Sequence, residues 1–200
     1  EIPFVIAPLP GGVSTPENQE FKWTVNPEAD HYALLVGKDS DFSQPIYFNP
    51  EVRDTHLTLT DSLIPGHYFW RIFSVSASEG AGPFSDAMTF RVPYPGPSLE
   101  DTQLQEDSMA FAWRAAAENQ RFQVQFARDS AFNDIIHDES MSTPQLTIAK
   151  PDSGTYYLRI KTIEADGFQG PWGPAQEIDV PRGISYWFML LMLLPLLVLI

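Results

Sequence analysis

Few side chains in this chain are of a type and spacing that could do chemistry. The four histidines, His31, His56, His67 and His137, fall in four different segments, and no two have the spacing of paired metal ligands. Asp39-Ser40-Asp41 has the alternating oxygens that open a calcium loop, but the remaining ligand positions and the terminal glutamate are missing. Gly80-Ala81-Gly82 and Gly167-Phe168-Gln169-Gly170 are rich in glycine, yet no helical pattern follows either, so neither reads as a phosphate loop or a nucleophile elbow. Cysteine is absent, which excludes zinc–thiolate sites and thiol nucleophiles. Carboxylates abound only because the whole chain is acidic, and no pair stands out. The expectation is a non-enzyme with no metal and no cofactor.

The elements that carry these residues occur twice. Trp23 in Phe21-Lys22-Trp23-Thr24 returns as Trp113 in Ala110-Phe111-Ala112-Trp113, and Asp39-Ser40-Asp41-Phe42 returns as Asp129-Ser130-Ala131-Phe132, each 90 positions later. Gly66-His67-Tyr68-Phe69-Trp70-Arg71-Ile72 returns as Gly154-Thr155-Tyr156-Tyr157-Leu158-Arg159-Ile160, and Gly82-Pro83-Phe84 as Gly170-Pro171-Trp172, each 88 later. An offset of this size is one small β-sandwich domain, longer than a solenoid or propeller repeat. Ala131 in place of Asp41 also argues against a duplicated metal site and for a turn.

Within the first copy, Glu20–Val25 alternates so as to put Phe21, Trp23 and Val25 on one face. Further strands are expected at Tyr32–Val36, Thr55–Leu59, Tyr68–Val75 and Met88–Val92. The second copy repeats the plan at Met109–Arg114, Phe122–Ala127, Gln145–Ile148, Thr155–Ile163 and Glu177–Val180. No ten-residue helical stripe interrupts them, so the fold class is all-β, two tandem sandwiches at 1–93 and 94–181. Three prolines in Pro93-Tyr94-Pro95-Gly96-Pro97 predict a short, stiff join.

The run Leu63-Ile64-Pro65-Gly66-His67-Tyr68-Phe69-Trp70-Arg71-Ile72, followed by Gly80-Ala81-Gly82-Pro83-Phe84-Ser85, resembles the C-terminal half of a fibronectin type III domain. The resemblance implies that Tyr68 and Tyr156 are corner tyrosines and that Trp23 and Trp113 are the buried tryptophans of the second strand. Core packing is the reading adopted for all four. A narrower resemblance joins Asp129-Ser130-Ala131-Phe132, the run from Tyr157 through Arg159 and Phe168 to Trp172, and the aromatic-led tail at Tyr186-Trp187-Phe188. This combination is similar to the end of large bacterial FecR-domain envelope proteins, which often carry LysM modules. The resemblance implies upstream modules that reach peptidoglycan, and sandwiches that face the periplasm from the inner membrane.

The last segment is expected to anchor the protein. Residues 182–200 hold one charge, Arg182, and Ile184–Ile200 has none over seventeen residues. Such a helix would be about 25 Å long, at the short edge of what spans a bilayer. Tyr186, Trp187 and Phe188 suit the interfacial belt, and Pro195 is tolerated where neighbours satisfy the freed carbonyl. Taken alone, Arg182 would put the sandwiches in the cytoplasm, but one arginine does not outweigh the periplasmic placement that the resemblance implies.

The formal net charge of −14 repels phosphate backbones and so disfavours nucleic acid as a partner. Two functions of different kinds survive. One is a membrane-anchored stalk and protein-interaction module, an accessory or regulatory subunit that docks on an integral membrane protein. The other is a cell-wall glycan binder that uses Phe84, Phe168 and Trp172. A flat row of exposed rings would favour the second. The Gly-Pro turn before Phe84 and Trp172 predicts that both rings are buried, and that favours the first.

Overall fold

The computed structural model describes residues 1–15, 18–59 and 63–182. They divide into two compact units, the first ending at Tyr94 and the second beginning at Pro95.

Unit 1 contains β1 (Val5–Ala7), β2 (Gly12–Val13), β3 (Glu20–Trp23), β4 (His31–Gly37), β5 (Tyr47–Val52), β6 (His56–Thr58), β7 (Gly66–Ser76), β8 (Gly80–Ala81) and β9 (Met88–Val92). One sheet has the order β1-β3-β6 and the other β2-β9-β7-β4-β5, with β8 continuing the β9 edge along β7. Apart from β2, which runs parallel to β9, every pairing is antiparallel. The two sheets bury one core between them. Phe21 and Trp23 from the small sheet meet Tyr32, Leu34, Val36, Tyr68, Trp70 and Ile72 from the large one. Phe21 stands edge-on to Trp70, ring centroids 5.0 Å apart, so the sheets interlock through aromatic geometry as well as area.

Unit 2 contains β10 (Leu99–Leu104), β11 (Ser108–Trp113), β12 (Arg121–Ala127), β13 (Ile135–Met141), β14 (Gln145–Ala149), β15 (Gly154–Ile163), β16 (Gln169–Trp172) and β17 (Gln176–Val180). Its sheets are β10-β11-β14 and β13-β12-β15-β16, with β17 on the same edge of β15 as β16. Met109, Phe111 and Trp113 face Phe122, Val124, Phe126, Leu158 and Ile160 across the core. Each unit is therefore a fibronectin type III-like β-sandwich, in which a three-stranded sheet faces one of six strands in unit 1 and one of five in unit 2. The β7 and β15 patterns explain the division of labour: Tyr68, Trp70, Ile72 and Tyr156, Leu158, Ile160 point inward, while the residues between them point out.

Several details differ from the sequence reading. Strand β3 stops at Trp23, and Val25 is 69% exposed rather than in the core. The chain turns off at Thr24, whose N–H donates to the Phe4 carbonyl at 2.8 Å. Strands β5 and β13 go unread in the sequence because Asn49-Pro50 and His137-Asp138-Glu139 break the apolar alternation. Both are edge strands, where a proline or charges are tolerated. Gly96 belongs to unit 2 and packs within it: a Cβ there would stand 2.0 Å from the Gly173 nitrogen. The expected membrane helix at 182–200, with Tyr186, Trp187 and Phe188, lies outside the described residues except for Arg182. Among the described residues no helix is long and apolar enough to cross a membrane.

Candidate functional site

Three of the repeated landmarks converge on one place in each unit, the outer face of the larger sheet. The Asp-Ser-x-Phe turn supplies the first ring. Asp39 Oδ1 accepts the N–H groups of Asp41 and Ser43, each at 3.1 Å, and Asp129 Oδ2 accepts those of Asn133 at 3.0 Å and Asp134 at 2.7 Å. These bonds hold Phe42 and Phe132 at φ of 53° and 58°, a left-handed conformation uncommon outside glycine. Hydrogen bonds from the Ser43 backbone, joined by its hydroxyl, hold the Asp39 carboxyl below the usual range. Those from the Asp134 and Asn133 backbone do the same for Asp129. In this conformation each phenylalanine lies back over the sheet and is buried, although it belongs to a turn.

The second component is the outward arginine of β7 or β15, and the third is the ring that follows Gly-Pro. The Arg71 guanidinium carbon lies 4.3 Å from the Phe42 ring centre and 3.8 Å from that of Phe84. Arg159 lies 4.0 Å from Phe132 and 4.4 Å from Trp172. In both units a guanidinium is thus held between two rings, where the ring faces attract the cation. Phe84 also stands edge-on to Phe73 at 4.7 Å, and Lys161 Nζ lies 4.7 Å from the Trp172 ring.

Beneath the stacks the two sheets differ. Antiparallel register places Phe48, Leu35 and Arg71 in one cross-strand row on β5, β4 and β7. The equivalent row on β13, β12 and β15 is Asp138, Gln125 and Arg159. In unit 2 the row is a closed network. Arg159 Nε and Nη2 donate to Gln125 Oε1 at 2.9 and 2.6 Å, Gln125 Nε2 donates to Asp138 Oδ2 at 2.8 Å, and Gln123 Nε2 to Asp138 Oδ1 at 2.8 Å. Partial burial pushes the Asp138 carboxyl up, but the amide donors of Gln123 and Gln125 outweigh it and the net shift is downward. In unit 1 the amide and carboxylate are replaced by Leu35 and Phe48, and Arg71 Nε is buried with no hydrogen-bond partner among the described residues.

The residues singled out from sequence are placed as follows. Trp23 and Trp113 lie in the two cores, edge-on to Tyr32 and Phe122 at 5.5 Å in each case, and neither indole N–H has a hydrogen-bond partner among the described residues. Tyr68 and Tyr156 have buried rings, and their hydroxyls donate to the carbonyls of Ile64 at 2.6 Å and Asp152 at 2.9 Å. Phe84 is not buried but 43% exposed, which corrects the expectation from the Gly-Pro turn. The inward position goes instead to Ser85, whose hydroxyl accepts the Ile72 N–H at 3.1 Å while its own N–H donates to the Ile72 carbonyl at 2.7 Å. Trp172 and Phe168 are half-buried. The faces of Phe84 and Trp172 lie against guanidinium groups, so the three residues do not form a flat row of free rings. His67 Nε2 accepts from Arg91 Nη2 at 2.9 Å, and among the described residues no three metal-ligating side chains converge.

Comparison with known proteins adds little to this geometry. No protein-family model and no curated protein matches the chain. Among solved structures it is similar to the FN1–FN3 domains of chicken CNTN1, at 15% identity and a TM-score of 0.37, over 91% of this chain. The match spans 65% of that structure. Strand order, register and the two cores define the fold of each unit.

Proposed function

We propose that this chain is a non-catalytic, membrane-anchored bacterial envelope protein whose tandem sandwiches act as a stalk and protein-interaction module. In this reading it is an accessory or regulatory subunit of an inner-membrane complex, with the sandwiches facing the periplasm and upstream modules reaching peptidoglycan. The observation that carries the reading is the uneven surface of the two units. Among the described residues, ten of the twelve exposed large apolar side chains belong to unit 1, including Phe48 at 53% and Phe84 at 43%. Unit 2 contributes only Leu104 and Ile135. Scattered apolar residues need no explanation, but Phe48 and Phe84 share one sheet face with the Arg71 stack, and exposed rings gathered on one face mark an interaction site. The charge-free tail and the FecR-type phrasing support the membrane and envelope parts.

Purification of the full chain in mild detergent should recover a second membrane protein in fixed ratio, and removal of residues 10–181 should lose it. Recovery of a lone monomer would sink the reading. The exposure of Phe84 favours a second reading, a glycan-binding module. Specific retention on isolated peptidoglycan, lost with Phe84→Ala and Trp172→Ala, would select it.

A further inference from the structure

Unit 2 is an internal template for what the arginine of this fold binds. Its guanidinium, held between two rings, takes an amide oxygen from Gln125, and that amide is in turn held by the carboxylate of Asp138. Unit 1 keeps the arginine and both rings at the same places and removes every acceptor from the row. Among the described residues Arg71 Nε has no hydrogen-bond partner, and Phe48 faces solvent where the second unit has the Asp138 carboxylate. A buried donor without an acceptor is costly, and Phe48 at the end of the row leaves apolar surface in water.

We propose that this face of unit 1 is a docking surface for a partner polypeptide segment that brings a carboxylate to the Arg71 guanidinium and lays an apolar side chain on Phe48 and Phe84. The inference rests on reading the sandwiches as an interaction module and adds where the partner binds and by what chemistry. Charge complementarity selects the carboxylate, because it restores what Asp138 and Gln125 supply in the other unit. The apolar surroundings select a peptide over a phosphate-rich ligand, which would need several cations where the row has one. The acidity of the rest of the unit does not forbid this. Surface charges farther off than a Debye length of about 8 Å are screened, while a contact pair is not. Unit 2 offers no such site, since its own side chains already satisfy the guanidinium.

The test uses the full chain in mild detergent, labelled with ¹⁵N-arginine. The probes are blocked tripeptides that combine Asp or Glu with Leu, Phe or Trp, alongside their Asn and Gln counterparts. The acidic peptides should move the Arg71 Nε–H resonance and leave that of Arg159 in place, with about tenfold weaker response to the amide counterparts. Transplanting the unit 2 row by Leu35→Gln with Phe48→Asp should abolish the response without unfolding the protein. Phe48→Asp alone, at an exposed site, should weaken it and serves if the double variant fails to fold. Equal response to acid and amide peptides, no response to either, or persistence in both variants would overturn the proposal. A photo-crosslinking residue at position 48, 64 or 135 in cells separates this proposal from the broader reading. Crosslinks from 64 or 135 with none from 48 overturn the docking face and leave the module reading standing. Silence at all three positions overturns both.

Discussion

Arg71 and Arg159 occupy one position in two sandwiches of one plan, and each is held between two rings. The row of the sheet beneath them is apolar in unit 1, with Leu35 buried and Phe48 exposed, and polar and closed in unit 2. The stack is therefore framework. It pins the turn after β4 or β12 and the Gly-Pro loop to the outside of the sheet, and does so with either kind of row beneath it. What varies is whether the cation's hydrogen bonds are made within the unit. Unit 2 makes them; unit 1 leaves Nε–H unmet and apolar rings exposed. Two copies of one fold thus separate a stability device from a surface that is free to take another role.

Replacing each arginine by methionine is the sharpest way to break the comparison, and it should have the largest effect. Arg159→Met keeps most of the apolar stem but strips Gln125 Oε1 of both its Arg159 donors and loosens the hold on Asp138. Hydrogen bonds to charged groups are worth about 1.5–3 kcal/mol, so unit 2 should lose about that much. Arg71→Met removes only ring contacts, about 0.5–1 kcal/mol at a partly exposed site, and relieves the buried unpaired donor. Unit 1 should change by less than about 1 kcal/mol. Native-state hydrogen exchange of the β15 and β7 amides in the intact chain reads the two units separately. Equal losses would show that the unit 2 network contributes nothing beyond the stack.

Much of this framework is legible in the sequence, and the stack is not, for a physical reason. Alternation along β3, β7, β11 and β15 marks the inward rings directly, because side-chain direction in a strand has a period of two. The Asp-Ser-x-Phe turns and the Gly-Pro-aromatic loops are visible as separate repeats. That both close on the same arginine depends on strand register, which no local pattern contains. One signal was available: thirteen residues separate Arg71 from Phe84 and Arg159 from Trp172 alike. A Gly-Pro turn suggests that Phe84 packs inward, but Ser85 next to it takes that place through two bonds to the Ile72 backbone. Edge strands β5 and β13 escape notice because an edge tolerates the polar and proline residues that interior strands reject.

A smaller effect tests the part of the comparison that should not differ. Tyr68→Phe and Tyr156→Phe each remove one hydroxyl-to-carbonyl bond across four residues, to Ile64 and to Asp152. Each should cost about 0.5–1.5 kcal/mol, and the two costs should agree. Both acceptors sit on exposed residues that water can reach, which argues for the lower part of that range. A marked inequality in thermal unfolding would mean that the corners are not equivalent and that the two units differ in more than their outer faces.

Acid should separate the two rows last and least. Asp39 and Asp129 are both held below the ordinary aspartate value of 3.8, chiefly by the backbone N–H of Ser43 and of Asp134 respectively. Their contributions are alike and cancel in a comparison of the units. Asp138 has no counterpart, since Phe48 stands in its place. Burial raises its carboxyl, and the amide donors of Gln123 and Gln125 bring the net shift below the ordinary value. A depressed carboxylate stabilises the folded state above its unfolded pKa, and that stability is lost as pH falls through the lower folded value. The window therefore lies below about pH 4, where protonated Asp138 ceases to anchor Gln125 against Arg159. Glu51 in unit 1 is also depressed, through its side-chain bond to Arg53, but that pair is fully exposed and salt screens it. At high salt, protection from hydrogen exchange in β12, β13 and β15, taken relative to the intrinsic rate at each pH, should fall as pH drops below about 4, before that in β4, β5 and β7. If both sheets loosen together, the carboxylate at the end of the unit 2 row is not what holds its arginine.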